Sequence, residues 1–363
     1  MKVSQLQTNR SGIALIVVLI VIVVLGILAG GFAYTMRVET TLARHASFNS
    51  ELDWIGRAGV NYCQWVLSQA CPQEPYDSLD QIWAGGPGGK CTNETIVRSG
   101  IPIPVGNGSF TWKIEDNDRY FNINVADEIV LNEALTLIGV DAAQMTTVVN
   151  SILDWRDADK NPRISGAESE AYEQQDPPYE AKDGPIDDMS ELLLIRGISA
   201  SPGIYYGSGG GGMPRIVNRA AGQQSVFEEP NYAVGLVNLF TALSGPTVNI
   251  NTASADVLQL MMQIDENYAQ RIIQGRSPVG EVEGLMGAGG YPTIGEVYRR
   301  VPDLPVPPEI LARYFGVKSQ VFKAEITATM GSTSRKYIAV LRRMSAKDTR
   351  VLTFYSSNPE AGE

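Results

Sequence analysis

Residues 12–36 run without a single charge, from Gly12-Ile13-Ala14-Leu15-Ile16-Val17 to Met36, behind a short leader that carries Lys2 and Arg10. About 20 apolar residues at about 1.5 Å rise each cross the hydrocarbon core of a bilayer. In that medium a single segment satisfies its own backbone groups only as a helix. A cleaved secretory signal is the competing reading, given the basic leader and the small residues at Ala29-Gly30-Gly31. Its apolar core is ordinarily only about 7–15 residues long, so the spanning helix is preferred, with residues 13–36 in the membrane.

Beyond Arg37 the pattern becomes amphipathic without a helix breaker. Leu42, Ala46, Leu52, Ile55, Ala58, Gly59, Tyr62, Cys63, Val66 and Leu67 recur at three- and four-residue spacing, with Arg44, Glu51, Asp53 and Arg57 between them. One helix is therefore expected over 13–70, stopping before Pro72, with a length of roughly 85 Å. Its first half belongs to lipid and its second half packs one face on a globular head. Leu42, Leu52 and Ile55 on this stripe are candidate contacts for partner subunits, and the head's own sheet is the competing neighbour.

The remaining chain alternates between strand and helix signals. Ser109 to Glu115 alternates as a half-buried strand, and Arg119 to Val125 is read as a second. Helical periodicity follows over Val130–Trp155, Met189–Arg196, Ala255–Ile264 and Glu266–Gln274, interrupted by the Gly207–Gly212 tract and ended by Pro302, Pro305, Pro307 and Pro308. Strands then return at Val321–Ala328, Lys336–Arg342 and Arg350–Tyr355, with a turn at Gly331-Ser332-Thr333-Ser334. This order predicts an α+β head in which a helical domain is inserted between strands of one antiparallel sheet. The divisions are a leader (1–12), the long helix (13–70), a loop and first strands (71–125), the insertion (126–308) and C-terminal strands (309–363). Within the insertion, Asn249-Ile250-Asn251-Thr252-Ala253 echoes Asn122-Ile123-Asn124-Val125-Ala126, each placed before an apolar-periodic run with capping chemistry. The second copy opens like a helix-hairpin-helix module, but its hairpin, Gln263-Ile264-Asp265-Glu266-Asn267, lacks glycine and carries two carboxylates, which disfavours a grip on DNA phosphates.

A formal net charge of −11 argues against nucleic acid as a partner. His45 is the sole histidine and lies just past the apolar run, which leaves the head without material for a Ser-His-Asp, Cys-His or His-ligated zinc site. Gly85-Gly86-Pro87-Gly88-Gly89-Lys90-Cys91 has a cysteine where a phosphate loop needs Ser or Thr and no apolar strand before it, so it reads as a surface loop. Three cysteines, Cys63, Cys71 and Cys91, allow one disulfide in an exported head; Cys71 with Cys91 would close that glycine-rich loop, against a reading of three unlinked thiols. The chain is read as an assembly protein, not an enzyme.

The strongest site signal is acidic. Counting Asp157 as position one of a calcium loop places Asp159 at three, Asn161 at five, the Arg163 carbonyl at seven, Ser165 at nine and Glu168 at twelve. Pro162 occupies position six, where an EF-hand turn needs glycine, so the expectation is a loop of hard oxygen ligands for calcium and not an EF-hand. Asp154, one turn earlier, is placed to serve the same ion or a second.

The leader, Gly12 before Ile13, and an apolar helix continuing into a head resemble type IV pilin-like proteins. Most of these carry a Glu at mature position five, where this chain has Val17. Asp154-Trp155-Arg156-Asp157-Ala158-Asp159, Pro162, Gly166-Ala167-Glu168, Tyr172, Pro178-Tyr179, Ser190-Glu191-Leu192, Arg196-Gly197 and Asn249-Ile250-Asn251-Thr252-Ala253 together resemble the general secretion pathway protein K family of type II secretion minor pseudopilins. The resemblance implies cleavage between Gly12 and Ile13 by a prepilin peptidase, and an inner-membrane anchor with the head in the periplasm. It further implies calcium at Asp154, Asp157, Asp159 and Glu168, and a place at the pseudopilus tip with two other minor pseudopilins above the major one. Secreted cargo is a further possible contact. A DNA-uptake pseudopilin and an anchored periplasmic hydrolase are the alternatives. The Gly207–Gly212 tract is not expected from the family.

Overall fold

The computed structural model describes residues 11–69, 75–86, 95–207, 232–276, 290–345 and 347–357. The leader up to Arg10, Cys71, Cys91 and most of the Gly207–Gly212 tract lie outside the described residues, as do the side chains of Ile13 and Leu42. Helix α1 (Ser11–Ser68) is continuous across the expected span. Its apolar stretch Leu15–Thr40 has none of the described residues packed on it and is long and apolar enough to cross a membrane.

From Leu52 onward α1 lies on a sheet. Strands β1 (Ile103–Val105) and β2 (Gly108–Asp116) form a hairpin, and the chain leaves through a 3₁₀ turn at Asn117–Arg119 and the two-residue strand β3 (Phe121–Asn122). The insertion then comprises α2 (Glu128–Ile138), α3 (Ala142–Arg156), α4 (Ser169–Tyr172), a 3₁₀ segment (Met189–Leu194), α5 (Gly203–Tyr206) and α6 (Leu236–Leu239). It continues through β4 (Phe240–Thr241), β5 (Val248–Asn249), α7 (Ala255–Leu258), α8 (Glu266–Gly275), α9 (Ile294–Arg300), α10 (Pro308–Tyr314) and β6 (Phe315–Gly316). The chain returns as β7 (Val321–Met330), β8 (Thr333–Ser345) and β9 (Asp348–Ser357). The resulting sheet has the order β1-β2-β7-β8-β9 with every pair antiparallel, so strands far apart in sequence, β2 and β7, are direct neighbours.

Two hydrophobic cores follow from this layout. Alternation sends Phe110, Trp112 and Ile114 of β2 and Ala324, Ile326 and Ala328 of β7 against α1, where Leu52, Ile55, Cys63 and Val66 meet them. Gly56 and Gly59 let the helix approach closely: a Cβ at Gly59 would sit 2.5 Å from Ile326 Cγ2, and one at Gly56 2.7 Å from the Tyr337 ring. Leu52 and Ile55 are 0% and 5% exposed, which corrects their assignment as partner contacts: the head's own sheet has taken that stripe. Burial also pushes the free Cys63 thiol up to about 12, consistent with an inert core residue.

The second core belongs to the insertion and begins at Phe121, running through Phe315. The expected boundaries at 125/126 and 308/309 therefore shift outward, because β3 pairs in parallel with β4 and β5 with β6, which draws both ends of the segment into the insertion. For the same reason Arg119–Val125 is not a second strand of the main sheet. The periodic run Val130–Trp155 is two helices, because Gly139 adopts φ 89° to cap α2 and Asp141 caps α3.

The sequence echo becomes a repeated device. Asn122 and Asn249 each accept on Oδ1 from the amide two residues on, Asn124 and Asn251. The second asparagine then clasps a distant segment with both polar ends, Asn124 holding Ile186 N and O and Asn251 holding Tyr291 N and O. An arginine closes each copy on two carbonyls, Arg156 on Ile123 and Ala126, Arg276 on Ile250 and Ala253. In the helix-hairpin-helix-like segment Gln263 takes the left-handed turn (φ 80°), and Asp265 accepts from Tyr268 N to cap α8.

The direction of α1 orients the head. Asp53 meets Tyr337 and Arg335 near the β7–β8 turn, whereas Gln64 reaches the Thr349 carbonyl near the β8–β9 turn. The insertion leaves from Asp116 and returns before Val321, a pair of ends that lies with Gln64 and away from the apolar half of α1.

Candidate metal centre

The acidic loop starts where α3 runs out. Asp157 N–H donates to the Leu153 carbonyl at 3.1 Å, ending the helix, and the loop returns through a turn in which Gly166 N–H donates to the Arg163 carbonyl and Ser165 takes φ 65°. This turn lies three residues beyond Pro162, which explains how the loop closes without a glycine at position six. Trp155 stands edge-on to Tyr172 (centroids 5.3 Å), and Tyr172 stacks on Tyr179 at 5.2 Å, so the aromatic cluster fixes α4 and the following segment against the end of α3.

Carboxylate oxygens of Asp157, Asp159 and Glu168 converge within 4.8 Å of one another. Glu168 is only 6% exposed, yet both its oxygens lack a hydrogen-bond partner, as does Asp157 Oδ1. Unpaired buried carboxylate oxygens are costly, and ordinary folds satisfy them. Burial first, then the surrounding charges of Asp154, Asp183, Asp157 and Asp159, pushes Glu168 up to about 7. A hard cation would supply the missing partner for this donor set, and the oxygen ligands present fit calcium chemistry.

Other expected ligands stand elsewhere. Asp154 is fully buried and accepts the Arg163 backbone N–H (3.2 and 3.3 Å) and Nη1 (2.7 Å); Arg163 also pairs with Asp157. Gly166 packs so closely that a Cβ there would lie 2.0 Å from Asp154 Oδ2. Asp154 thus shapes the loop through Arg163 and Gly166. Asn161 is exposed, and its N–H donates to Asp159 Oδ1 at 2.8 Å, ordering that carboxylate. The Arg163 carbonyl is already engaged by Gly166.

Sequence spacing missed Asp183. It has φ 50°, an unpartnered buried Oδ1, and a charge felt by Glu168; the Gly184 N–H donates to the Trp155 carbonyl and holds it beside the loop. Its signal in the sequence was the Asp183-Gly184-Pro185 turn, which carries no hint of a neighbour so far back in the chain.

An apolar helix that continues into the head and packs on an antiparallel sheet, with a helical domain between β2 and β7, defines a pilin-like protein. The family model for type II secretion system protein K matches residues 114–202, the stretch that contains the acidic loop. The type II secretion system protein K of Pseudomonas aeruginosa is 24% identical over 292 residues, spanning 76% of this chain and 75% of that protein. Its counterpart from Pectobacterium carotovorum is 23% identical over 308 residues, covering 75% of this chain and 87% of its own. The crystal structure of the GspK-GspI-GspJ complex from enterotoxigenic Escherichia coli superposes with TM-score 0.63 at 16% identity, over 87% of this chain and 99% of the matched one. The chain is thus similar along most of its length to the type II secretion system protein K family of minor pseudopilins, with that family's domain at residues 114–202.

Proposed function

We propose that this minor pseudopilin sits at the tip of a periplasmic pseudopilus and starts its assembly with two other minor pseudopilins, the counterparts of GspI and GspJ, ahead of the major one. The observation that carries this reading is the placement of the insertion on the end of the sheet away from the apolar half of α1. There it obstructs a subunit stacking above while the flanks of α1 stay free to join subunits below. Val17 agrees, since a subunit without a buried carboxylate in lipid needs no charged partner ahead of it. Residues 13–36 anchor the chain in the inner membrane with the head in the periplasm. A single fluorophore on the head marks one end of each pseudopilus in this reading, and label along the whole length overturns the tip role. Asp157, Asp159 and Glu168, with Asp183 beside them, would hold calcium, which supplies positive charge to oxygens the fold leaves unpaired.

Processing gives an independent check. Gly12 is the small residue that a prepilin peptidase must reach at the membrane face before Ile13. Gly12→Val leaves the uncleaved precursor, read by the N-terminal mass; equal maturation of the variant returns α1 to an ordinary anchor.

A further inference from the structure

The seam between sheet and insertion is built on three buried carboxylates, none of which belongs to the candidate metal centre. Asp77, Asp116 and Asp118 are 4%, 2% and 1% exposed. Asp116, at the end of β2, accepts on Oδ2 from Ser319 Oγ (2.5 Å) on the sheet side and from Asn249 Nδ2 (3.2 Å) and Thr252 Oγ1 on the insertion side. Its Oδ1 takes the Asp118 N–H. Asp118 accepts Gly245 N–H (2.7 Å) from the insertion and Gln320 and Val321 N–H from the start of β7. Asp77 pairs with Arg343 and accepts Ser319 N–H at 2.9 Å. Across this seam the insertion contributes neutral donors, Asn249, Thr252 and Gly245.

We propose that this carboxylate cluster is a proton-sensitive latch that sets how firmly the insertion is held on the end of the pilin-like sheet. The charged groups around Asp116 are Asp118 beside it, Asp77 from the segment before β1, and Arg343 from β8, whose guanidinium is engaged with Asp77 and the Ser319 carbonyl. On the insertion side Arg276 is engaged with the carbonyls of Ile250 and Ala253. No cation contacts Asp116 among the described residues, so its negative charge is opposed by burial and by Asp118 and is relieved only by dipoles. Burial, reinforced by Asp118, pushes Asp116 up to about 7 against the pull of the Ser319 and Thr252 hydroxyls, and Asp118 is raised by burial as well.

The sign follows from linkage. A carboxyl raised in the closed state binds its proton more tightly there than when the seam opens, so its contribution is complete below about pH 4, the ordinary carboxyl value, and fades as pH rises through about 7. Rising pH therefore loosens the insertion.

Hydrogen exchange on the full-length protein in detergent micelles tests this. After correction for intrinsic exchange, protection of the Gly245, Gln320 and Val321 amides falls about tenfold or more between about pH 5.5 and about pH 7.5, while strand amides of β7 and β8 change less. In Asp116→Asn the fall is much smaller, the remainder coming from Asp118. Equal slopes in wild type and variant overturn the latch, as does flat wild-type protection. Because the variant also alters the buried hydrogen bonds from Ser319, Asn249 and Thr252, the carboxyl carbon of Asp116 is titrated by NMR in the wild-type protein as well. A midpoint near 7 supports the latch, and an Asp116 already ionised at about pH 5 overturns it without any substitution.

Discussion

Calcium is expected to raise the melting temperature of the full-length protein in detergent by about 5–10 °C, and a chelator to remove the gain. The magnitude follows from mass action: a ligand at about a hundred times its Kd that binds only the folded state adds about 2.7 kcal/mol, and a head of this size gains about 2–4 °C per kcal/mol. The unpaired oxygens of Glu168 and Asp157 identify the variants that must lose it, Glu168→Gln and Asp157→Asn. In chelator Glu168→Gln melts no lower than wild type, since it removes a carboxylate from a cluster of like charges, whereas Asp157→Asn also gives up the pairing with Arg163. For Glu168→Gln that comparison separates loss of a ligand from general damage to the fold. Asp183→Asn weakens calcium affinity by about tenfold, because affinity at such sites follows the count of charged ligands. Identical melting curves for wild type with calcium and with chelator sink the metal centre.

Replacing Leu52 by Asp unfolds the head and does not merely weaken a complex. Leu52 is 0% exposed beneath β2, β7 and β8, and a carboxylate there loses its hydration among apolar side chains. A cost of about 3–5 kcal/mol is expected from the combined loss of apolar packing and burial of a charge, a large share of a typical folding free energy. Thermal melting and protease resistance of the variant are the measurements. Trp54 supplies the contrast, being two residues along the same helix and 71% exposed. Trp54→Ala leaves the melting temperature within the effect of about 0.5 kcal/mol that surface changes produce. A Leu52→Asp head that melts like wild type but fails to assemble would return this face of α1 to its partners.

The contrast between Leu52 and Trp54 shows how far one-dimensional pattern reaches. Three- and four-residue spacing shows that Leu52, Ile55, Cys63 and Val66 share a stripe, because a helix's turn is a local property; what covers the stripe is decided by the strands that arrive there, β7 and β8, from the far end of the chain. The same limit explains the insertion's edges. Phe121 and Phe315 look like boundary residues in sequence, but the parallel pairs they form with Phe240 and Val248 enclose them in the insertion's core.

Local chemistry alone determined the apolar anchor, the run of helix through residue 68, the three C-terminal strands with their Gly331 turn, and the converging oxygens of Asp157, Asp159 and Glu168. Each depends on residues a few turns or one loop apart, where spacing fixes distance. Only the tertiary structure decided that Asp183 stands near enough for Glu168 to feel its charge, and that Asp116 on the sheet meets Asn249 and Thr252 of the insertion. These groups are brought together by packing across long separations in the chain. No periodicity encodes that proximity, because it is set by which hydrophobic surfaces bury one another and not by the path between them.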